Sequence, residues 1–145
     1  MEVVLQYITV HDEAYHELLN FRNEWLRKPI GLSLFDEDLS VEQHDVIITL
    51  QQNNDIVGCV LLQKVDAQTY KLRQMAIDET LRGKGLGKIL MEEAERYLIA
   101  QDVKNVVLHA RQYAMGFYEQ LGYQAYGDSF IEVTIPHIAM KKLLL

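Results

Sequence analysis

The pattern of apolar and polar positions predicts a chain that mixes short strands with a few helices. Residues 3–9 are rich in β-branched side chains, as a first strand would be. Tyr15, Leu18, Leu19, Trp25 and Leu26 then recur at helical spacing, with Asp12 and Glu13 where a helix N-terminus favours acids. That helix is expected to stop before Pro29, and Gly31 to end the turn. Residues 31–44 carry Asp36-Glu37-Asp38 and read as an exposed loop or a short helix. From Asp45 the period shortens to two. Residues 46–50 and 56–63 are strand-like, and Asn53-Asn54-Asp55 between them is hairpin chemistry.

A further strand is expected over 70–77, with Leu72, Gln74 and Ala76 on one face and Arg73, Met75 and Ile77 on the other. The clearest helix follows, its apolar stripe built from Leu86, Ile89, Leu90, Ala94, Tyr97 and Leu98. Residues 106–110 resemble a buried strand, so 70–110 reads as strand, helix, strand with a parallel pair. A shorter helix over about 113–121 should end at Gly122, and strands at 123–126 and 135–143 complete a mixed sheet. Pro136 suits the start of the last strand better than its middle.

Composition narrows the choice. The 145 residues are the size of one domain, 1–145, and 49% hydrophobic with 24% charged residues is ordinary for a folded one. The apolar runs fall well short of the ~20 residues of a membrane-spanning helix. The start shows no export signal, and Cys59, the only cysteine, rules out an internal disulfide. A cytoplasmic protein with Cys59 in its core is the expectation. A net charge of -7 argues against nucleic acid as a partner, and fits a cationic substrate better.

The informative segment is Arg82-Gly83-Lys84-Gly85-Leu86-Gly87, where a strand hands over to a helix. Glycine in the first turns of a helix is disfavoured by up to ~1 kcal/mol relative to alanine, so its presence needs a reason. Bare backbone N–H groups at a helix N-terminus, with Arg82, Lys84 and Lys88 around them, would attract an anion such as a pyrophosphate. A flexible connection with exposed basic residues is the competing explanation. The P-loop is excluded because Gly87-Lys88 is followed by Ile89, and the dinucleotide fingerprint because the spacing is Gly-x-Gly-x-Gly.

Arg-x-x-Gly-x-Gly after a strand and opening an amphipathic helix resembles the acetyl-CoA signature of the GCN5-related N-acetyltransferase (GNAT) superfamily. Leu72–Ile77 and the later run Ala114-Met115-Gly116-Phe117-Tyr118-Glu119-Gln120-Leu121-Gly122-Tyr123 are similar to the family's neighbouring segments, in the same order. Ile135-Pro136-His137-Ile138-Ala139-Met140 resembles the ElaA-like or YjcF-like bacterial subgroup.

The resemblance implies an α/β (α+β) fold: a mixed, mostly antiparallel twisted sheet whose central parallel pair splays for acetyl-CoA, with flanking helices. It implies N-acetyltransfer from acetyl-CoA to a small-molecule amine, with no metal. A protein or peptide acceptor, or a non-catalytic acyl-CoA-binding module, are the alternatives, and a homodimer is one assembly the superfamily uses. Cofactor contacts are implied for Met75, Ala76 and Ile77 on the strand and for Arg82, Gly83, Lys84, Gly85, Leu86, Gly87 and Lys88 in the turn. Phe117 is implied beside them, and Tyr118 matches the tyrosine that protonates the leaving sulfur. A phenol with pKa ~10 is neutral at pH 7 and can donate to a thiolate. On the acceptor side His44, Arg73, His109 and Arg111 are candidates, with Glu132 another candidate base; the family often has Asn where Arg111 stands. Arg22 falls on the apolar stripe of the first helix, so its guanidinium must meet a carboxylate, carbonyls or a substrate anion, or snorkel to water.

Overall fold

A computed structural model describes residues 2–144. β1 (Val4–Ile8) leads to α1 (Ala14–Arg22), which continues without a break into one wide π-type turn (Asn23–Arg27) and a 3-10 turn (Lys28–Ile30). Pro29 therefore lies inside helical structure rather than beyond it. It sits in the first positions of the 3-10 turn, where no N–H is required of it, and Gly31 closes the run at φ 76°. Residues 31–44 hold two 3-10 turns, Leu34–Asp36 and Leu39–Glu42, capped by the Ser33 and Asp38 side chains.

β2 (Val46–Gln52) and β3 (Asp55–Asp66) form a hairpin around Asn53 and Asn54, both at positive φ, the geometry that a two-residue turn demands. β4 (Thr69–Ile77), α2 (Leu86–Ala100) and β5 (Asn105–Arg111) make the expected parallel crossover. α3 (Met115–Gln120) is shorter than the expected helix, because Gln112–Ala114 winds as a separate 3-10 turn. β6 (Gln124–Glu132) runs six residues beyond the expected strand. A bulge between Tyr126 and Phe130, with Gly127 at φ 73°, absorbs the irregularity and lets pairing with β7 (Ile135–Leu143) resume.

The seven strands form one sheet in the order β1-β2-β3-β4-β5-β7-β6, antiparallel except for β4 and β5. Both faces are covered. One core packs beneath α2, where Leu86, Leu90, Met91, Ala94 and Leu98 are buried. The other lies beneath α1 and holds Leu18, Phe21, Ile47, Cys59 and Leu61. Each fully buried leucine contributes roughly 1.5–3 kcal/mol. Cys59 is wholly enclosed; burial pushes its thiol up to about 12, and its Sγ donates to the Gln74 carbonyl at 3.2 Å.

One local expectation fails. Leu72 and Ala76 do not share a face: Leu72 joins the α2 core with Met75 and Ile77, while Ala76 joins the α1 core. On β3 the step from Leu61 to Cys59 is two residues, but the facing step from Arg73 to Ala76 is three. β4 thus holds one surplus residue, a bulge, and Gln74 occupies it at φ 57°.

Candidate active site

The bulge lies where β4 and β5 part. The two strands pair in register from Thr69/Asn105 to Leu72/Leu108, and there the pairing stops. From Arg73 onward the β5-facing edge of β4 has no partner strand, and a cleft of ≈ 710 Å³ opens between the two. An unpaired edge offers N–H and C=O groups to any extended chain carrying amides.

The glycine turn stands at one end of this cleft. Gly83 and Gly85 adopt φ 80° and 76°, and the space where a Cβ would sit is open at both. Gly85 is also the N-cap of α2, whose first backbone bond runs from the Ile89 N–H to the Gly85 carbonyl. The N–H groups before Ile89 consequently have no helical acceptor and are offered to solvent or an anion. Gly87 has a different reason for being glycine: a Cβ there would come within 3.0 Å of the Phe117 ring. Arg82 and Lys88 are exposed and line the cleft, each held by a neighbouring glutamate, Glu79 at 2.7 Å and Glu92 at 3.9 Å. These features fit a pyrophosphate-bearing ligand lying over the turn.

Tyr118 stands on the same side, on α3. The helix ends in a Schellman pair of bonds, Tyr123 N–H to the Tyr118 carbonyl and Gly122 N–H to the Glu119 carbonyl, with Gly122 at φ 93°. The Tyr118 ring is fixed edge-on between Phe117 and Tyr123, with centroids 5.0 and 5.9 Å away. Its side chain is 8% exposed, and among the described residues its hydroxyl has no hydrogen-bond partner while lining the cleft. Burial, then the nearby Tyr113, raises its pKa above the ordinary phenol value. The proton stays on the oxygen.

The opposite face of the sheet carries polar groups. On β5 the buried residues Val106, Leu108 and Ala110 face α2, so His109 and Arg111 face the other way. The register brings further side chains to them: His137 lies opposite Arg111, and Phe130 opposite His137. His109 Nδ1 is 3.1 Å from Glu132 Oε1 and 3.4 Å from Lys71 Nζ. The His137 Nδ1–H donates to the Ile135 carbonyl at 2.9 Å, which turns its Nε2 toward Glu132 Oε2 at 3.7 Å. Burial works against the Glu132 carboxylate, but the His109 bond and the charges around it outweigh this and hold its pKa below the usual value. Trp25, Leu26 and Arg27 cover this side, and the Arg111 guanidinium ties β5 to them by donating to the Leu26 carbonyl at 2.7 Å.

Residues 8–144 match the acetyltransferase (GNAT) domain family. The chain belongs to the GNAT acetyltransferases. It is 33% identical over 108 residues to the uncharacterized protein YyaT of Bacillus subtilis strain 168, a stretch covering 74% of this chain and 72% of that protein. Its fold is similar to that of Escherichia coli ElaA, with TM-score 0.86, 20% identity, and 97% and 99% of the two chains covered. It is likewise similar to an acyl-CoA N-acyltransferase from Pseudomonas aeruginosa, with TM-score 0.82, 18% identity, and 97% and 99% covered. GNAT membership makes the protein an acyl-CoA-dependent acyltransferase. Among the described residues no helix is long and apolar enough to cross a membrane.

Of the residues named from the sequence, this GNAT cleft gathers Met75, Ala76, Ile77 and the glycine turn except Lys84, together with Phe117 and Tyr118. Arg73, His109, Arg111 and Glu132 also line it. Lys84 and His44 are exposed and stand outside the lining. Arg22 does not reach the cleft at all. It is 0% exposed and forms a two-pronged bond to Glu42, Nη1 to Oε1 at 2.8 Å and Nη2 to Oε2 at 2.6 Å. The Tyr15 hydroxyl donates to the same carboxylate at 2.7 Å, and Arg22 Nε donates to the Gln74 side chain at 3.3 Å. Of the partners open to Arg22, the carboxylate is the one it meets, and the cluster braces the bulge.

Sequence reasoning missed Lys71, His137, Asp45 and Glu42. Strand alternation alone could have found Lys71, which shares the Arg73 face two residues away. His137 stood in the Ile-Pro-His run already singled out but was given no role there, while Asp45 and Glu42 depend on long-range contacts and the turns at residues 31–44, and no local signal points to them.

Proposed function

We propose that the protein transfers the acetyl group of acetyl-CoA to a primary amine on a small-molecule acceptor, by direct attack within the cleft. The observation that carries this is the opening between β4 and β5 beyond Leu72 and Leu108, with the glycine turn at one end and the unbonded Tyr118 hydroxyl facing in. The turn from Arg82 to Lys88, including Lys84, offers N–H groups and cations to the pyrophosphate. The free edge at Met75, Ala76 and Ile77 pairs with the pantetheine amides as an added strand, and one of its N–H groups polarises the thioester carbonyl. Phe117 packs alongside.

Bound acetyl-CoA supplies the activated acyl carbon. On the acceptor side Glu132, with His109 beside it, takes a proton from the incoming ammonium, whose pKa of ~10 would otherwise leave no lone pair for attack. The amine nitrogen bonds to the carbonyl carbon, the carbon–sulfur bond breaks, Tyr118 gives its phenolic proton to the departing sulfur, and the second proton leaving the new amide nitrogen returns to the Tyr118 oxygen through solvent. The low-dielectric surroundings that hold the proton on Tyr118 also make a bare thiolate costly there, so the sulfur leaves as the thiol and the phenol is then restored.

A cleft of ≈ 710 Å³ falls in the range of small-molecule sites. The acceptor mouth is roofed by the turns after α1, tied down by Arg27–Glu37 at 2.6 Å and Arg111–Leu26, which favours a small acceptor over a folded protein surface. Thiol release from acetyl-CoA across a panel of amines, peptides and antibiotics tests the reading. Acetyl-CoA at a hundredfold excess over its Kd should raise the melting temperature by about 5–10 °C. No shift at millimolar acetyl-CoA would overturn the donor assignment.

A further inference from the structure

The acceptor side of the cleft presents more positive charge than it neutralises. Four cations line it: Arg27, Lys71, Arg73 and Arg111. Arg27 is matched by Glu37 at 2.6 Å, and Arg73 by Asp45, whose side chain is 3% exposed, at 3.2 Å. Glu132 is taken up by His109 and approached by His137. Lys71 and Arg111 belong to no ion pair among the described residues.

Their contacts are with neutral atoms. Arg111 Nη2 donates to the Leu26 carbonyl at 2.7 Å, and Nη1 stands 3.5 Å from the Tyr113 hydroxyl. Lys71 Nζ meets only the His109 ring nitrogen, at 3.4 Å, and that same nitrogen is 3.1 Å from Glu132. Burial pulls the Lys71 pKa down, then Glu132 pulls it up and Arg73 down, and the net direction is down. Its ammonium is therefore short of solvation, and Glu132, which lies against His109, is the carboxylate that acts on it from beyond ion-pair distance. In a chain of net charge -7, two half-buried cations facing an open cavity mark a place suited to an anion.

A site for an amine alone would be built the other way, with carboxylates facing inward. Here one carboxylate, Glu132, stands near two cations that form no ion pair among the described residues, with Lys71 and Glu132 flanking a single ring nitrogen. An acceptor that matches must carry opposite charges a few ångströms apart.

We propose that the acceptor is an amino acid, its carboxylate bound by Arg111 and Lys71 while its amine faces Glu132. This rests on the transferase reading above and narrows the acceptor of the same site. A carboxylate suits the position because Arg111 keeps N–H groups in a planar fork, and its single charge is within what two cations can offset. The N-terminus of a peptide does not match, since an amide stands where the carboxylate is required.

Matched triads decide it: each common L-amino acid, its amide and its decarboxylated amine, assayed for thiol release with acetyl-CoA. The amino acid that turns over best should exceed both of its partners in kcat/KM by about tenfold or more, the worth of one charge-assisted hydrogen bond. Arg111→Gln and Lys71→Met should each shrink that advantage, chiefly through KM, and Arg111→Lys should retain part of it. The wild-type comparison stands even where a variant fails to fold. Equal or better use of the amide or the amine overturns the amino-acid assignment and leaves the transferase reading intact. Release with no member of any triad, but with other amines in the panel, also overturns it alone. Release with no amine at all overturns both. Calorimetric binding of the N-acetyl amino acid to the CoA-loaded protein, against the N-acetyl amine, gives a readout that needs no turnover; equal affinities would count against the assignment.

Discussion

The two faces of the sheet on either side of the cleft are built by different rules. The α2 face is local. A turn of alternating glycines with basic neighbours, the strand edge before it and one tyrosine on a short helix occupy positions set by backbone geometry, over a core of apolar side chains. The α1 face is assembled from afar. Lys71, His109, Glu132 and His137 come from four strands, and Glu42, Arg22 and Gln74 from a 3-10 turn, a helix and a bulge. A face that handles a constant ligand can be written in a short contiguous motif. A face that must suit one particular acceptor has no such motif, and its charged groups meet through contacts tens of residues apart.

Substitutions can break this contrast. The largest effect is expected for Tyr118→Phe, which removes the proposed proton donor and leaves the ring packed between Phe117 and Tyr123. The kcat should fall by about 10²–10⁴-fold, with acetyl-CoA affinity little changed by calorimetry. Unaltered turnover would remove Tyr118 from the chemistry.

Arg22→Met follows. It strands the Glu42 carboxylate, 1% exposed, without its guanidinium, and chemical denaturation should show a loss of about 3–5 kcal/mol. Arg22→Met with Glu42→Met should recover much of that loss, because replacing a buried pair by apolar groups costs far less than breaking it. If the double variant is as unstable as the single one, the cluster is not a paired brace.

Gly85→Ala comes next. It forces a side chain into the left-handed region, costing about 1–2 kcal/mol, and should weaken acetyl-CoA binding. Gly87→Ala keeps ordinary dihedrals and instead pushes on Phe117, so only the first should strain the turn itself. Matching losses in the two variants would show that the glycines serve one purpose, contrary to the geometry.

The smallest effect is one of stability alone, in Glu132→Gln, separate from the larger loss of turnover expected when the proposed base is removed. Glu132 has a pKa held below its unfolded value, so its contribution is fully present above the ordinary glutamate value of 4.5 and disappears as pH falls through the lower native value. With its side chain 41% exposed, solvent screening keeps this under ~1 kcal/mol. Melting temperature between pH 5 and pH 3 should fall slightly less steeply in the variant than in wild type. A steeper fall would reverse the sign argued here.

How far the sequence could be read follows the same division. The strand-helix-strand crossover, the hairpin at Asn53-Asn54 and the glycine turn announce themselves through period, turn residues and spacing, all properties of neighbouring positions. Tyr118 was legible through the Phe-Tyr run ending at Gly122. The direction of residues after Arg73 was not, because strand alternation assumes a regular ladder and gives no warning of a bulge. Arg22 illustrates the same limit. Its place on an apolar stripe showed that it needed a partner, but Glu42 lies twenty residues on, in a segment whose own pattern said only loop or short helix.

The bulge at Gln74 has a consequence for how such a cleft can arise or be lost. Omit Gln74 and the faces of Leu72, Arg73, Met75, Ala76 and Ile77 fall into strict alternation, the sequence of an ordinary strand able to zip against its neighbour along its whole length. The opening thus depends on a count, six residues from Leu72 to Ile77 facing five from Leu62 to Gly58, and a one-codon deletion would be enough to sew it shut.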